Sequence, residues 1–218
     1  MKDLCLFDLD GTLTDPKIGI TKSVNYALGF FDIHEKNLDD LKKFIGPPLR
    51  DSFKEYYGFN TSEAEKAVSK YREYFSETGI FENTLYSGIT EILSRLKSEN
   101  ILLAIATSKP IVYAERIADH FNLKQYFEVI AGSEFDGTRS RKSEVIEFAL
   151  NMIDPEREKS AVMIGDRAHD IIGAKETGVD SVGVTWGYGS RTELIEAGAT
   201  WLADSPDELY SYIMGELS

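Results

Sequence analysis

A single cysteine, Cys5, occurs in the 218 residues, so no disulfide can form within the chain. No apolar run approaches the length needed to cross a bilayer, and there is no signal-peptide pattern; the expected compartment is a reducing cytoplasm. Cys5 lies in an apolar run and reads as a packed core thiol. Basic residues are scarce: 24 Lys and Arg face 37 Asp and Glu, a net charge of -13. That balance argues against nucleic acid or an anionic membrane as the main partner, because both demand clustered cations. The three histidines, His34, His120 and His169, are scattered, so a zinc centre is not expected. No Gly-x-x-x-x-Gly-Lys segment is present, which excludes a P-loop. Gly187-Tyr188-Gly189 lacks the rest of a dinucleotide fingerprint and reads as a loop. The two tryptophans, Trp186 and Trp201, read as packing residues.

What is present is a large core. Hydrophobic residues make up 42% of the chain, enough for one large domain or a main domain with an insert. Five short apolar runs read as buried strands: Leu4 to Phe7, Ile101 to Ala106, Phe127 to Gly132, Ala161 to Ile164 and Ser181 to Thr185. Amphipathic helices are expected between them, over Gly88 to Glu99, Ile111 to Phe121, Ser143 to Met152 and Ile171 to Thr177. This alternation predicts an α/β fold, a Rossmann-like doubly wound parallel sheet covered on both faces. The pattern is interrupted from Pro16 to Tyr86, where helices are expected over Lys17 to Phe31, Leu38 to Ile45, Leu49 to Tyr57 and Ser62 to Thr78, and no strand. The domain reading is therefore a core of residues 1–15 and 87–218 and an inserted α-helical cap domain, 16–86. An insert after the first strand is placed to act as a lid, or only to add stability.

In parallel sheets of this kind ligands bind beyond the carboxyl ends of the strands, and the polar clusters fall there. Asp8 and Asp10 follow the first run directly. Two buried carboxylates so close together are unfavourable unless a cation lies between them, and a hard divalent ion such as Mg2+ takes oxygen ligands and usually also holds a phosphate. Asp8 is a candidate nucleophile, or only a metal ligand. Asp10 is a candidate general acid and base, or a turn residue aided by Gly11. Thr107 can donate its hydroxyl to a phosphoryl oxygen beside the amide of Ser108, or cap a helix in which Pro110 occupies the first turn. Lys142 can neutralise charge in a transition state; Lys109 is its rival, and spacing does not choose between them. Asp166 ends the fourth run and would complete a metal shell with Asp8. Asp170 reads as an outer-shell group orienting metal-bound water or Lys142, or as the N-cap of the helix starting at Ile171. His169 reads as a surface residue beside the site.

The ordered set Asp8-Leu9-Asp10-Gly11-Thr12, Thr107, Lys142 and Gly165-Asp166 through Asp170 resembles the four motifs of the haloacid dehalogenase superfamily of phosphohydrolases, over essentially the whole chain. The resemblance implies Mg2+, nucleophile Asp8, acid/base Asp10, phosphate ligand Thr107, stabilising Lys142, metal ligand Asp166 and a metal contact from the Asp10 backbone carbonyl. The metal set is thus Asp8, Asp10 and Asp166. The insert resembles the helical cap of the phosphoglycolate phosphatase-like branch, in which a loop near Gly46-Pro47-Pro48-Leu49 helps read the substrate; Lys43, Pro47, Leu49 and Arg50 are the cap candidates.

Asp10 separates this chain from the family's dehalogenases, which lack that carboxylate, and favours cleavage of a phosphate ester. The expected activity is a Mg-dependent phosphatase for small monoesters, of the phosphoglycolate or nucleoside 5'-monophosphate type; the segment Ser133 to Arg139 and Gly165-Asp166-Arg167 resemble bacterial 5'-nucleotidases. A β-phosphoglucomutase-like sugar phosphate mutase is the alternative, weakened because mutases carry an Arg near the position of Leu49, with Arg50 next door. The expected partner is a small phosphorylated metabolite, with no nucleic acid or membrane, and a monomer or at most a dimer is expected. A phospho-accepting signalling module and a binding protein descended from an enzyme are further readings. Asp10 and the lid speak against the first, and the complete set of charges against the second.

Overall fold

The structure, a computed structural model, describes residues 2–154 and 160–216. Its strands are β1 (Leu4–Phe7), β2 (Thr14–Asp15), β3 (Thr84–Leu85), β4 (Leu102–Pro110), β5 (Val129–Ser133), β6 (Ala161–Gly165), β7 (Asp180–Val184) and β8 (Trp201–Ala203). The α-helices among the described residues are α1 (Lys17–Gly29), α2 (Leu49–Tyr57), α3 (Thr61–Phe75), α4 (Ile89–Ser98), α5 (Ile111–His120), α6 (Lys142–Ile153), α7 (Ala168–Glu176), α8 (Arg191–Ala197) and α9 (Pro206–Met214). The chain divides into two compact units, one of residues 1–14 and 85–218, the other of residues 15–84.

The first unit holds a six-stranded sheet in the order β5-β4-β1-β6-β7-β8, with every pairing parallel. β1 lies centrally because all four of its residues are apolar and fully buried, which suits a strand covered on both faces. Leu4 and Leu6 join Ala104, Ala106, Ala131 and Met163 in a core with Val145, Ile146 and Ala149 of α6 and Ala174 of α7. Cys5 points to the opposite face, and burial pushes its thiol far above the ordinary range, which makes it inert.

The expected doubly wound sheet is present, with differences at its edges. β8 was not foreseen: Trp201-Leu202-Ala203 is too short to show a pattern, and pairing with β7 makes it a strand. Helices α8 and α9 were also absent from the expectation, although Ser190 and Ser205 cap them through the amides of Glu193 and Glu208. β4 runs on to Pro110, four residues past its apolar run, and α5 starts at Ile111, where the helix was expected.

The second unit is built from α1, α2 and α3 with 3-10 helices at Leu38–Phe44 and Gly79–Phe81. The region expected to be a continuous helix from Ser62 to Thr78 ends at Phe75, and the stretch from Leu38 forms a 3-10 rather than an α-helix. β3 ends a region in which no strand was expected; two residues carry no alternation to read. Asn60 and Glu63 form a capping box at α3, the Asn60 side chain accepting from the Glu63 amide at 3.0 Å and the Glu63 carboxylate from the Asn60 amide at 2.8 Å. Phe44 and Phe53 pack at 5.0 Å between ring centroids, and Phe53 stacks on Phe59 at 5.9 Å.

Leu6 is fully buried on the central strand, so Leu6→Ala should lower unfolding free energy by about 2–5 kcal/mol, measured by urea denaturation.

Candidate active site

Beyond Phe7 the chain keeps the sheet's direction for one residue, the Asp8 amide donating to the Ile164 carbonyl at 2.8 Å. It then folds back: the amides of Leu13 and Thr14 donate to the Leu9 carbonyl, and that of Gly11 to the Thr14 carbonyl at 2.7 Å. Gly11 has φ +87°, and a side chain there would strike the Asp166 carboxylate, so no other residue fits this turn. The loop leaves Asp8 and Asp10 buried at the carboxyl end of β1.

Lys142, the first residue of α6, reaches Asp8. Its Nζ lies 2.8 Å from Asp8 Oδ1, 2.8 Å from Asp170 Oδ1 and 2.9 Å from the Ala106 carbonyl oxygen. Gly173 on α7 makes room, since a Cβ there would lie 2.8 Å from the Lys142 side chain. Burial pulls the ammonium down, but Asp170 and Asp8 together outweigh it and hold Lys142 above the ordinary lysine value. Burial pushes the Asp8 carboxyl up despite the opposing pull of Lys142. For Asp170, burial acts upward, and Lys142 and His169 overcome it to leave the group low. Lys109 instead forms an ion pair with Asp10. The two lysines that spacing could not rank thus take different carboxylates.

Asp166 directly follows β6 and is fully buried. Its Oδ2 accepts from the Tyr188 amide at 2.7 Å, and Thr12 Oγ1 approaches its Oδ1 at 3.4 Å. A side chain on Gly187 would collide with the Asp166 side chain and one on Gly189 with the Asp166 backbone carbonyl, so the Gly187-Tyr188-Gly189 segment, read from sequence as a plain loop, packs its backbone closely on Asp166. Trp186 Nε1 donates to the Thr12 carbonyl at 3.0 Å and ties the same loop to the β1 turn. Burial, then the charges of Asp170 and Asp8, push the Asp166 carboxyl well above the usual range.

Two readings need correction. Asp170 is not an N-cap: α7 starts at Ala168, and Asp170 sits within its first turn with Oδ2 accepting from the Arg167 amide at 3.0 Å. Thr107 does not cap a helix, because it lies inside β4, buried, with Oγ1 accepting from the Lys109 amide at 3.3 Å. The Ser108 carbonyl accepts from Ser133 Oγ at 2.8 Å. His169 is a neighbour of the cluster, its Nε2 3.6 Å from Asp170 Oδ1 and its side chain 30% exposed.

The electrostatics of the cluster fit a divalent cation. Four buried carboxylates, Asp8, Asp10, Asp166 and Asp170, meet two ammonium groups, and Asp10 Oδ1 is buried with no hydrogen-bond partner. Donor atoms of Asp8, His169 and Asp170 lie within 4.8 Å of one another, but Lys142 already occupies the space shared by Asp8 and Asp170. The side-chain oxygens left for a hard ion belong to Asp8 and Asp166.

Leu49 and Arg50 open α2 in the other unit, where Arg50 Nη2 pairs with Glu65 at 2.7 Å. Lys43 Nζ lies over the Tyr56 ring at 4.5 Å, and Pro47 is in the turn before α2.

The sequence pattern of haloacid dehalogenase-like hydrolases matches residues 5–184, and the chain belongs to that family. A 5'-nucleotidase from Pseudomonas aeruginosa is 49% identical over 189 residues, 87% of this chain and 85% of that protein. The tyrosine-protein kinase PtkA from Mycobacterium tuberculosis is 41% identical over 90% of this chain and 66% of its own length. A crystal structure of a predicted phosphatase from Clostridium acetobutylicum, 48% identical, superposes over 100% of both chains with a TM-score of 0.94. The chain is a phosphatase of the family, a phosphoric monoester hydrolase.

Removing the Lys142 ammonium strands Asp8 and Asp170 against each other. Lys142→Met should cost on the order of 3–5 kcal/mol of stability at neutral pH. The deficit should shrink as pH falls, because Asp8, whose pKa burial already raises, can then take up a proton and relieve the repulsion. Urea denaturation across that pH range, in the presence of a chelator, measures both effects.

Proposed function

We propose that the protein hydrolyses small phosphate monoesters with Mg2+ through an aspartyl-phosphate on Asp8, and that nucleoside 5'-monophosphates are its preferred substrates. The observation that carries this reading is the buried Asp8, one oxygen of which is held by Lys142, beside an Asp10 oxygen without a partner. In the first half, an Asp8 oxygen attacks phosphorus and the bond from phosphorus to the ester oxygen breaks, while Asp10 gives a proton to that oxygen. In the second half, Asp10 takes a proton from water, water attacks phosphorus, and inorganic phosphate leaves with Asp8 restored. Lys142 balances the negative charge on Asp8 and the phosphoryl oxygens, and the Thr107 hydroxyl donates to one of them, beside Ser108. Asp8 and Asp166, with the Asp10 backbone carbonyl as the family resemblance implies, would hold Mg2+. The ion would neutralise the carboxylates and draw charge from the phosphoryl group. Asp170 acts through Lys142, which it helps to hold.

Nucleoside monophosphates are put first because the 5'-nucleotidase relative shares far more identity than the phosphoglycolate phosphatase from Colwellia psychrerythraea, which is 29% identical. Leu49 and Arg50 are the candidates in residues 15–84 for reading the leaving group. The cytoplasm is the proposed compartment; no helix among the described residues is long and apolar enough to cross a membrane.

Phosphate release should stop in Asp8→Asn without loss of fold, and Asp10→Asn should slow it by about 10²–10⁴. Chelation should abolish release and Mg2+ restore it. In a screen of nucleoside 5'-monophosphates, phosphoglycolate, sugar phosphates and pyrophosphate, the nucleotides should give the highest kcat/KM. Interconversion of glucose phosphates with little free phosphate would instead establish the mutase.

A further inference from the structure

The Lys109–Asp10 ion pair is largely buried, with side-chain exposures of 6% and 12%, and nothing in the reaction so far uses it. It exists because β4 is irregular at this point. Ala106 pairs with Ala131 and Pro110 with Ser133, so Thr107, Ser108 and Lys109 stand opposite the single residue Gly132. A bulge of this kind twists a strand and re-aims its side chains, and bulges concentrate beside active sites. Two features pin it. Ser133 Oγ donates to the Ser108 carbonyl at 2.8 Å, and Gly132 leaves room for the displaced backbone, since a Cβ there would lie 2.7 Å from the Lys109 carbonyl oxygen and 2.9 Å from Ile111 Cα. The neighbour of β4 on its other side is β1, whose continuation carries Asp10. Lys109 therefore reaches across to Asp10, and its ammonium takes Oδ2.

We infer that Lys109 is a positioning residue for the acid/base carboxylate: it clamps Asp10 Oδ2 and so presents Oδ1, the oxygen without a partner, as the atom that exchanges the proton. This rests on the phosphatase reading of Asp8 and Asp10 and adds a residue to it. A carboxylate free to rotate about its last bond would offer either oxygen in any direction. One held by a buried ion pair offers a single oxygen in one place, which is what proton transfer within hydrogen-bond reach requires. The same clamp serves both halves of the reaction, because the leaving oxygen and the attacking water each exchange their proton at Asp10 Oδ1.

The test separates positioning of the acid from general damage by varying the leaving group. A p-nitrophenolate leaves without protonation, whereas an alkoxide does not, so loss of a well-placed acid hurts alkyl phosphates far more. Lys109→Met should lose at least about tenfold more kcat on an alkyl phosphate than on the first turnover of p-nitrophenyl phosphate, a part of the 10²–10⁴ that general acids contribute. With p-nitrophenyl phosphate it should release a burst of one p-nitrophenol per enzyme, followed by slow turnover as the phosphorylated enzyme waits for water to be activated. Lys109→Arg should restore part of the loss. Ser133→Ala, which keeps the lysine but loosens the bulge, should show the same split in milder form and stands in for Lys109→Met if that variant does not fold. Equal losses on both esters with no burst, or no loss at all, overturn the inference. Asp8→Asn is the control: turnover in that variant overturns the phosphatase reading itself, whereas uniform loss in Lys109→Met with Asp8→Asn inactive overturns only the clamp.

Discussion

Four buried carboxylates crowd the carboxyl ends of β1 and β6, and the structure there depends on how their charge is shared. Lys142 serves Asp8 and Asp170, Lys109 serves Asp10, and Asp166 receives a backbone amide in place of a cation. Each arrangement brings its own structural requirement. Lys142 needs Gly173 to pass α7, Asp166 needs Gly11, Gly187 and Gly189 around it, and Lys109 needs Gly132 behind the bulge. Gly11 and Gly187 thus bring backbone up to the Asp166 carboxylate, while Gly173 and Gly132 make room for the Lys142 stem and for the bulged strand. Two ammonium groups for four carboxylates leave an excess of negative charge that suits a hard divalent ion, the counter-charge the proposed reaction needs in a protein of overall charge -13.

The parallel sheet makes this concentration possible. β4, β1 and β6 are neighbours in space but lie far apart in sequence, and all point their carboxyl ends the same way. The chain returns to the same edge after each helix, so residues from 8, 107, 142 and 166 onward meet at one end of the sheet. Helix α7 contributes in the same manner, because starting at Ala168 puts Asp170 in its first turn, where it bonds the Arg167 amide and still meets Lys142.

The legible parts of the fold were those whose signal is local. Leu4 to Phe7 and Ala161 to Ile164 are unbroken apolar runs, and they are the two strands that carry Asp8 and Asp166. Amphipathic spacing marked the helices that cover them. Weak local signals failed: Trp201-Leu202-Ala203 becomes a strand only by lying against β7, and β4 continues through Thr107-Ser108-Lys109-Pro110, a polar segment that reads as a helix start. The Tyr188 amide carries no side-chain signature at all. The two glycines flanking it were the available clue, and they are explained only by the nearness of Asp166.

The sequence by itself determined the chemistry on offer: acidic pairs behind apolar runs, two candidate lysines, an acidic surface, no thiol or histidine cluster for other chemistry. Those properties belong to residue types and their spacing, and need no partner to be read. Tertiary structure alone decided which lysine meets which carboxylate, that Asp170 holds Lys142 with one oxygen while the other accepts the Arg167 amide from the first turn of α7, and that a bulge turns Lys109 toward Asp10. Each of these ion pairs is a contact between residues remote in the chain, and such contacts are set by strand order, register and the room that glycines leave.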